Sequence, residues 1–235
     1  MKKRTIIITG ATSGIGKSAA FLFAEKGFNV IVTGRNAQLL ESLYAETSIL
    51  YIACDINDPN LPKSLIDLAL SNFGTCDILV NNAGMLETGS VEAINTERIC
   101  EMVRVNVEAA FRFIYTFVKY FKQIDNGHIV NISSVLGLKT REHSAAYAGT
   151  KHAIEAVSEG LRMELYNTNV QLTCIEPGLV KTEMHRMLEV HPTETLNIPN
   201  PLQPLDIAKA ILYVVSQEAH VRIPKYLILP KNHRI

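Results

Sequence analysis

Short apolar runs alternate along the chain with longer segments whose apolar residues recur at helical spacing. The runs fall at 5–9, 29–33, 49–53, 78–80, 128–132, 170–175 and 226–229. The helical segments include 14–26, 62–73, 97–121, 145–166 and 206–215. Runs of this length, rich in Ile and Val, predict strands. Strands alternating with helices predict βαβ units, hence an α/β fold with a parallel sheet covered by helices on both faces. The runs are apolar throughout rather than at every second position, as expected of strands buried on both sides. One stretch breaks the pattern. Residues 183–204 carry Pro192, Pro199, Pro201 and Pro204, and an irregular loop of that length is a functional lid or a disordered segment.

Composition narrows the picture. At 235 residues and 47 % hydrophobic, the chain suits one domain spanning 1–235, with a core that needs no disulfide or metal. Its 23 basic and 23 acidic residues give zero net charge, which excludes a generally basic nucleic-acid binder. The zero is a cancellation. Lys2, Lys3, Arg4, Arg222, Lys225, Lys231 and Arg234 sit at the two ends without an acid, so the stretch 5–218 is negative. Cys54, Cys76, Cys100 and Cys174 form no C-x-x-C pair and have no clustered His. They read as free thiols in a reducing compartment, and no metal site is expected. The apolar run after the basic start is too short for a signal peptide. No apolar stretch approaches the ~20 residues that span a bilayer. A soluble, cytoplasmic protein is expected, without a membrane partner.

The first strand runs into Thr9-Gly10-Ala11-Thr12-Ser13-Gly14-Ile15-Gly16, where a helix opens. Glycines let backbone approach a ligand closely, and the helix start offers free N–H groups and a positive dipole end to a phosphate. This is the position of a dinucleotide's pyrophosphate. The second strand ends Thr33-Gly34-Arg35. An NAD site ordinarily has an acid here for the ribose 2′-hydroxyl. Gly34 stands in that place, and the Arg35 guanidinium suits a 2′-phosphate. NADP is therefore expected ahead of NAD, with Lys17 a possible second cation; the bland alternative makes Arg35 a solvated loop residue.

In these residues and those that follow, the sequence resembles the short-chain dehydrogenase/reductase family. The glycine motif is Thr9-Gly10-x-x-x-Gly14-x-Gly16. Asn81-Asn82-Ala83-Gly84 follows the fourth strand, and Asn106 lies in Arg104-Val105-Asn106-Val107. Ser133-Ser134 precedes Tyr147-x-x-x-Lys151, and Pro177-Gly178-x-x-x-Thr182 comes last. Six motifs stand in the family's order across residues 5 to about 182. The resemblance implies a Rossmann-type sheet, a catalytic set of Asn106, Ser134, Tyr147 and Lys151, and an Asn106-bound water relaying protons from Lys151. It further implies dinucleotide contacts from Gly10, Thr12, Ser13, Gly14, Ile15, Gly16, Asp55, Asn82, Ala83, Gly84, Tyr147, Lys151, Pro177, Gly178 and Thr182, with Asn81 also along the cofactor. The C-terminus lacks the Gly-rich segment that commonly closes the family's fold, and 183–204 matches no substrate-specifying pattern.

The chemistry asked of these residues is physical. Reducing a carbonyl needs a hydride from a cofactor and a proton from the protein. A phenol is a weak base at neutral pH, so a nearby ammonium is expected to lower its pKa. Tyr147 and Lys151, four apart, share one helix face. Ser134, the family's Ser by its spacing of 13 residues before Tyr147, would bond the substrate oxygen, with Ser133 the competing choice. The expected activity is NADP-dependent interconversion of an alcohol with a ketone or aldehyde. The competing class is a non-catalytic NADP-binding sensor or scaffold, which would need none of Ser134, Tyr147 and Lys151. Lys139, Arg141 and His143 fall between Ser134 and Tyr147, where they border the substrate pocket and attract an acidic substrate, or form a solvated loop. Met184, Met187, Leu188 and Val190 would form an apolar lid, while His185 and His191 read as surface residues. Phe111, Phe113, Tyr115, Phe117, Tyr120 and Phe121 surround one helix with aromatic groups, and Ala153, Ala156 and Gly160 would let the next helix pack closely. Together with the resemblance, these faces predict a homodimer or homotetramer.

Overall fold

The computed structural model describes residues 3–185 and 192–234. In chain order it contains β1 (Thr5–Thr9), α1 (Gly14–Glu25), β2 (Asn29–Gly34), α2 (Ala37–Tyr44), β3 (Leu50–Ala53), α3 (Leu61–Phe73) and β4 (Ile78–Asn81). Then follow α4 (Thr96–Val103), α5 (Ala110–Ile124), β5 (Gly127–Ile132), α6 (Ala145–Glu164), β6 (Val170–Pro177), α7 (Pro192–Thr195), α8 (Pro204–Val215) and β7 (Lys225–Ile228). The strands form one sheet in the order β3-β2-β1-β4-β5-β6-β7, and every neighbouring pair is parallel. This is the doubly wound Rossmann-type α/β fold that the pattern and the resemblance predict.

The register explains the continuous apolar runs. Ile7 lies beside Ile31 and Leu79, and Leu79 lies beside Ile129. These four face α3, α5 and α6 in one core, with Phe113, Phe117 and Leu161. Their neighbours Ile6, Ile8, Val30, Val32, Ile78 and Val80 face the other way, toward Phe23 of α1 and Ile211 of α8. Successive side chains point to opposite faces, and both faces here are covered.

Two expectations change in detail. The predicted helix 97–121 is α4 and α5 joined by one π turn, Arg104–Ala109. Its physical cause is Asn106, whose side chain is drawn out of helical register to bond the backbone of Met85. The aromatic run is also not spread around its helix as a partner-seeking surface. Phe113, Ile114, Phe117, Val118 and Phe121 are buried against the sheet, leaving Tyr115 44 % exposed. The core accounts for most of these aromatics, so the run by itself calls for no partner. No helix among the described residues is long and apolar enough to cross a membrane.

His128 in β5 is buried, and its Nε2 lies 2.8 Å from Thr173 Oγ1 on β6. The Thr173 hydroxyl donates to the Ile223 carbonyl, so the ring donates to Thr173 as a neutral imidazole. Burial, with Arg4 adding repulsion, lowers the His128 pKa to about 3. Its folded value lies below its unfolded value, so the unfolded chain takes up the proton first as pH falls. Stability is therefore lost between about pH 6.5 and pH 3, by about 1.4 kcal/mol per pH unit from this residue. Denaturant titrations over that range should show this slope, and H128Q should be shallower by the same amount.

Candidate active site

At the carboxyl ends of the strands, β1 leads to β2 on one side while β4 lies on its other side. Such a reversal of strand order opens a crevice. A cleft of about 890 Å³ lies there, walled by the turns after β1, β2, β4, β5 and β6. Gly10 has φ +67° and abuts Ala83, whose Cα would lie 2.8 Å from a Cβ at position 10. A Cβ at Gly16 would lie 2.4 Å from the Gly10 carbonyl oxygen, so only glycine lets α1 start so close to the turn. The Ser13 side chain caps none of the free N–H groups of α1. Those donors face the cleft among Gly10, Thr12, Ser13, Gly14 and Ile15, an arrangement suited to a phosphate.

The second motif acts as a clamp. Thr9 Oγ1 accepts from the backbone N–H of Asn82 at 3.0 Å and of Ala83 at 2.9 Å. Asn82 Nδ2 returns bonds to the carbonyls of Thr9 at 2.9 Å and Gly10 at 3.2 Å. Asn82, Ala83 and Gly84 line the cleft. Asn81 does not: its amide points into the core, to the Ala110 carbonyl and Asn131 Oδ1. Arg35 and Asp55 stand at the outer end, beside Asn36, Leu39 and Ile56. Lys17 is not among the cleft residues.

Tyr147 and Lys151 project from α6 onto the inner wall, and both are buried. Lys151 Nζ donates to the Ile132 carbonyl at 2.9 Å and sits 5.7 Å from the centre of the Tyr147 ring. The structure brings Ser134 close enough to Tyr147 to pull the phenol's pKa down, and Ser134 Oγ accepts from Leu136 N–H at 3.1 Å. Ser133 Oγ lies instead beneath Gly137, 2.6 Å from where a Cβ there would stand. Burial raises the Tyr147 pKa to about 12, outweighing the pull of Ser134 and the charge of Arg141. Burial lowers the Lys151 pKa to about 8, against the pull of Cys174 and Glu155. Lysine was expected to lower the tyrosine; desolvation is the largest effect and Lys151 is not among its causes, so Tyr147 is held here as a neutral phenol.

Asn106 lies behind the cleft wall. Its Oδ1 accepts from Met85 N–H at 2.9 Å, and its Nδ2 donates to the Met85 carbonyl at 2.9 Å and to Thr150 Oγ1 at 3.2 Å. Pro177, Gly178 and Thr182 close the far side, with Met184 and His185 beyond them. Met187, Leu188, Val190 and His191 lie outside the described residues. The far end of the irregular stretch is tied back to the sheet edge, with Leu202 N–H on the Leu179 carbonyl at 3.0 Å and Lys181 N–H on the Leu202 carbonyl at 2.8 Å. Pro192 and Leu196 also line the cleft. Sequence reasoning missed Met85, Leu86, Arg98 and His233 as cleft residues. The first two adjoin a motif that could have flagged them, whereas His233 arrives from the C-terminus with no local signal.

A parallel sheet with this cleft and a Ser–Tyr–Lys set beside an uncapped helix start defines the class of nucleotide-dependent dehydrogenases. The chain belongs to the short chain dehydrogenase family, whose family model matches residues 4–192. An uncharacterized oxidoreductase of Staphylococcus aureus (strain USA300) is 30 % identical over 230 residues, covering 97 % of each chain. The closed form of a serine dehydrogenase complexed with NADP+ superposes with a TM-score of 0.91 at 27 % identity, covering 98 % of this chain and 96 % of that one. A 3-ketoacyl-(acyl-carrier-protein) reductase from Brucella melitensis complexed with NADH gives a TM-score of 0.88 at 26 % identity, covering 98 % of each.

Truncating Asn106 leaves both backbone groups of Met85 without their side-chain partner. N106A should lose about 1–3 kcal/mol of stability, measured by urea denaturation.

Proposed function

We propose that the protein is an NADP-dependent oxidoreductase that interconverts an alcohol with a ketone or aldehyde. The observation that carries this reading is that Ser134, Tyr147 and Lys151 line one wall of the same cleft as the uncapped start of α1, with Lys151 Nζ 5.7 Å from the Tyr147 ring. A bound dinucleotide would supply the hydride. Residues 10–16 would hold its pyrophosphate, Asp55 its adenine side, and Ala83, Gly84, Lys151, Pro177, Gly178 and Thr182 its nicotinamide half.

In the reducing direction Tyr147 gives its proton to the substrate oxygen. Its raised pKa keeps it protonated at neutral pH, and Ser134 bonds the same oxygen as charge gathers there. Lys151, charged below about pH 8, stabilises the phenolate left behind and reloads it with a proton. Asn106 holds Met85 in the wall and, in the resemblance, the relay water. A sensor or scaffold would have no use for this constellation, which argues against the non-catalytic alternative.

Two features support NADP over NAD. Gly34 stands where an NAD site has its acid, and a Cβ there would fall 2.6 Å from Thr12 Cγ2, so a side chain would have to displace Thr12. Arg35 is exposed at the cleft edge, open to a 2′-phosphate. We read residues 1–235 as one dinucleotide-binding domain with a substrate lid at 183–204. Four free cysteines suit a reducing cytoplasm. Outward-facing Ala156 and Gly160 on α6, with exposed Val103 and Tyr115 nearby in the fold, support assembly as a homodimer or homotetramer.

Y147F should lower NADPH-dependent carbonyl reduction by at least about 100-fold while the protein still binds NADPH, as read by absorbance and by fluorescence titration. R35A should weaken NADPH relative to NADH by about 10–100-fold, read from the two dissociation constants.

A further inference from the structure

Arg141 sits on the loop between Ser134 and Tyr147 and lines the cleft. It is close enough to Tyr147 for the two groups to shift each other's ionisation. Its side chain makes one hydrogen bond, from Nε to Ser144 Oγ at 3.2 Å, and has no carboxylate within 4.0 Å among the described residues. The acids nearby are engaged elsewhere. Glu87 and Glu101 both pair with Arg98, at 3.6 and 3.2 Å, and Glu142 faces His143 at 3.9 Å. The fork of Arg141 therefore lines the same cleft as Tyr147 with no carboxylate counter-ion among the described residues.

The C-terminal segment packs behind it. Gly178 N–H donates to the Ile228 carbonyl at 2.8 Å. A Cβ at Gly178 would lie 2.7 Å from His233 Nδ1 and 2.8 Å from Pro230 Cδ, so glycine there admits the segment to the wall. Leu229 packs against the cluster that contains Tyr147 and Leu136. Lys139 Nζ ties the end down by donating to the Arg234 carbonyl at 3.3 Å. His233 is thereby delivered to the cleft with its Nδ1 buried and without a hydrogen-bond partner. Arg141 and His233 both line the cleft, and the charges of Lys139 and Arg141 both act on His233, whereas Lys139 and His143 are not cleft residues.

We propose that the substrate carries a carboxylate, and that Arg141 and His233 bind this group while Tyr147 serves the carbonyl or hydroxyl. The proposal rests on the oxidoreductase reading above and adds the substrate class to it. A guanidinium presents paired N–H donors that match two carboxylate oxygens, and the imidazole adds a further donor.

The test uses the intact protein with NADPH and three oxo acids (pyruvate, acetoacetate and succinic semialdehyde) beside their methyl esters. At least one acid should exceed its ester in kcat/KM by about 10–100-fold, mainly through KM. R141A should abolish that preference, R141K should keep part of it, and H233A should reduce it. Equal or better turnover of every ester by the unaltered protein would overturn the proposal, as would an acid preference that survives in R141A. If no acid or ester is turned over, the oxidoreductase reading fails for these substrates, and calorimetric titration of the same acids into NADP-loaded protein decides this proposal separately. Acid binding that R141A removes supports it; no acid binding, or binding unchanged in R141A, overturns it.

Discussion

At the carboxyl ends of β1 and β4 the backbone ladder stops, and side chains take over the joining of the two strands. Four hydrogen bonds connect Thr9 and Gly10 to Asn82 and Ala83. Two of them end on the Thr9 hydroxyl and two start from the Asn82 amide, so each uses a side chain in place of a second strand's backbone. They fix the floor of the cleft at the point where the chain turns to opposite sides of β1. Gly10 and Gly16 can then approach so closely that the start of α1 is aimed across this floor. Without the clamp, the two turns that face each other would be free to separate, and the uncapped N–H groups of α1 would have no defined cavity to face.

The inner wall depends on a different balance. Tyr147 and Lys151 are taken out of water, and desolvation moves both toward their neutral forms. The Ile132 carbonyl and the Ser134 hydroxyl compensate only in part. The wall therefore sets a phenol that resists ionisation beside an ammonium that is easily discharged. The π turn serves this wall from behind. It takes Asn106 out of the helical ladder and spends its amide on Met85, which holds an apolar side of the cleft in place.

Much of the fold could be read from the chain because both faces of the sheet are covered. Ile6, Ile7 and Ile8 must all be apolar when alternate side chains enter two separate cores, and such a run is visible at a glance. The glycine turn after β1 was equally legible, since close approach of backbone to backbone permits only glycine at positions 10 and 16. Ser133 and Ser134 leave the strand in different directions, Ser133 Oγ beneath Gly137 and Ser134 Oγ toward the Leu136 N–H. The aromatic helix was misread for a reason of the same kind. Phe113, Phe117 and Phe121 lie on one buried side, while Tyr115 and Tyr120 widen the apparent band beyond it.

What the sequence determined alone was therefore local: strand and helix periods, the glycines a turn requires, and the spacing that stacks Tyr147 above Lys151. What the tertiary structure decided was every relation between distant segments. Desolvation of Tyr147 depends on Met102, Leu136 and Leu229 packing around it, and no spacing rule reports that. His233 reaches the cleft only because Gly178 leaves room and Lys139 holds the chain end. Burial and electrostatic fields are properties of the assembled neighbours, so they come into existence with the fold and are written in no single stretch of the chain.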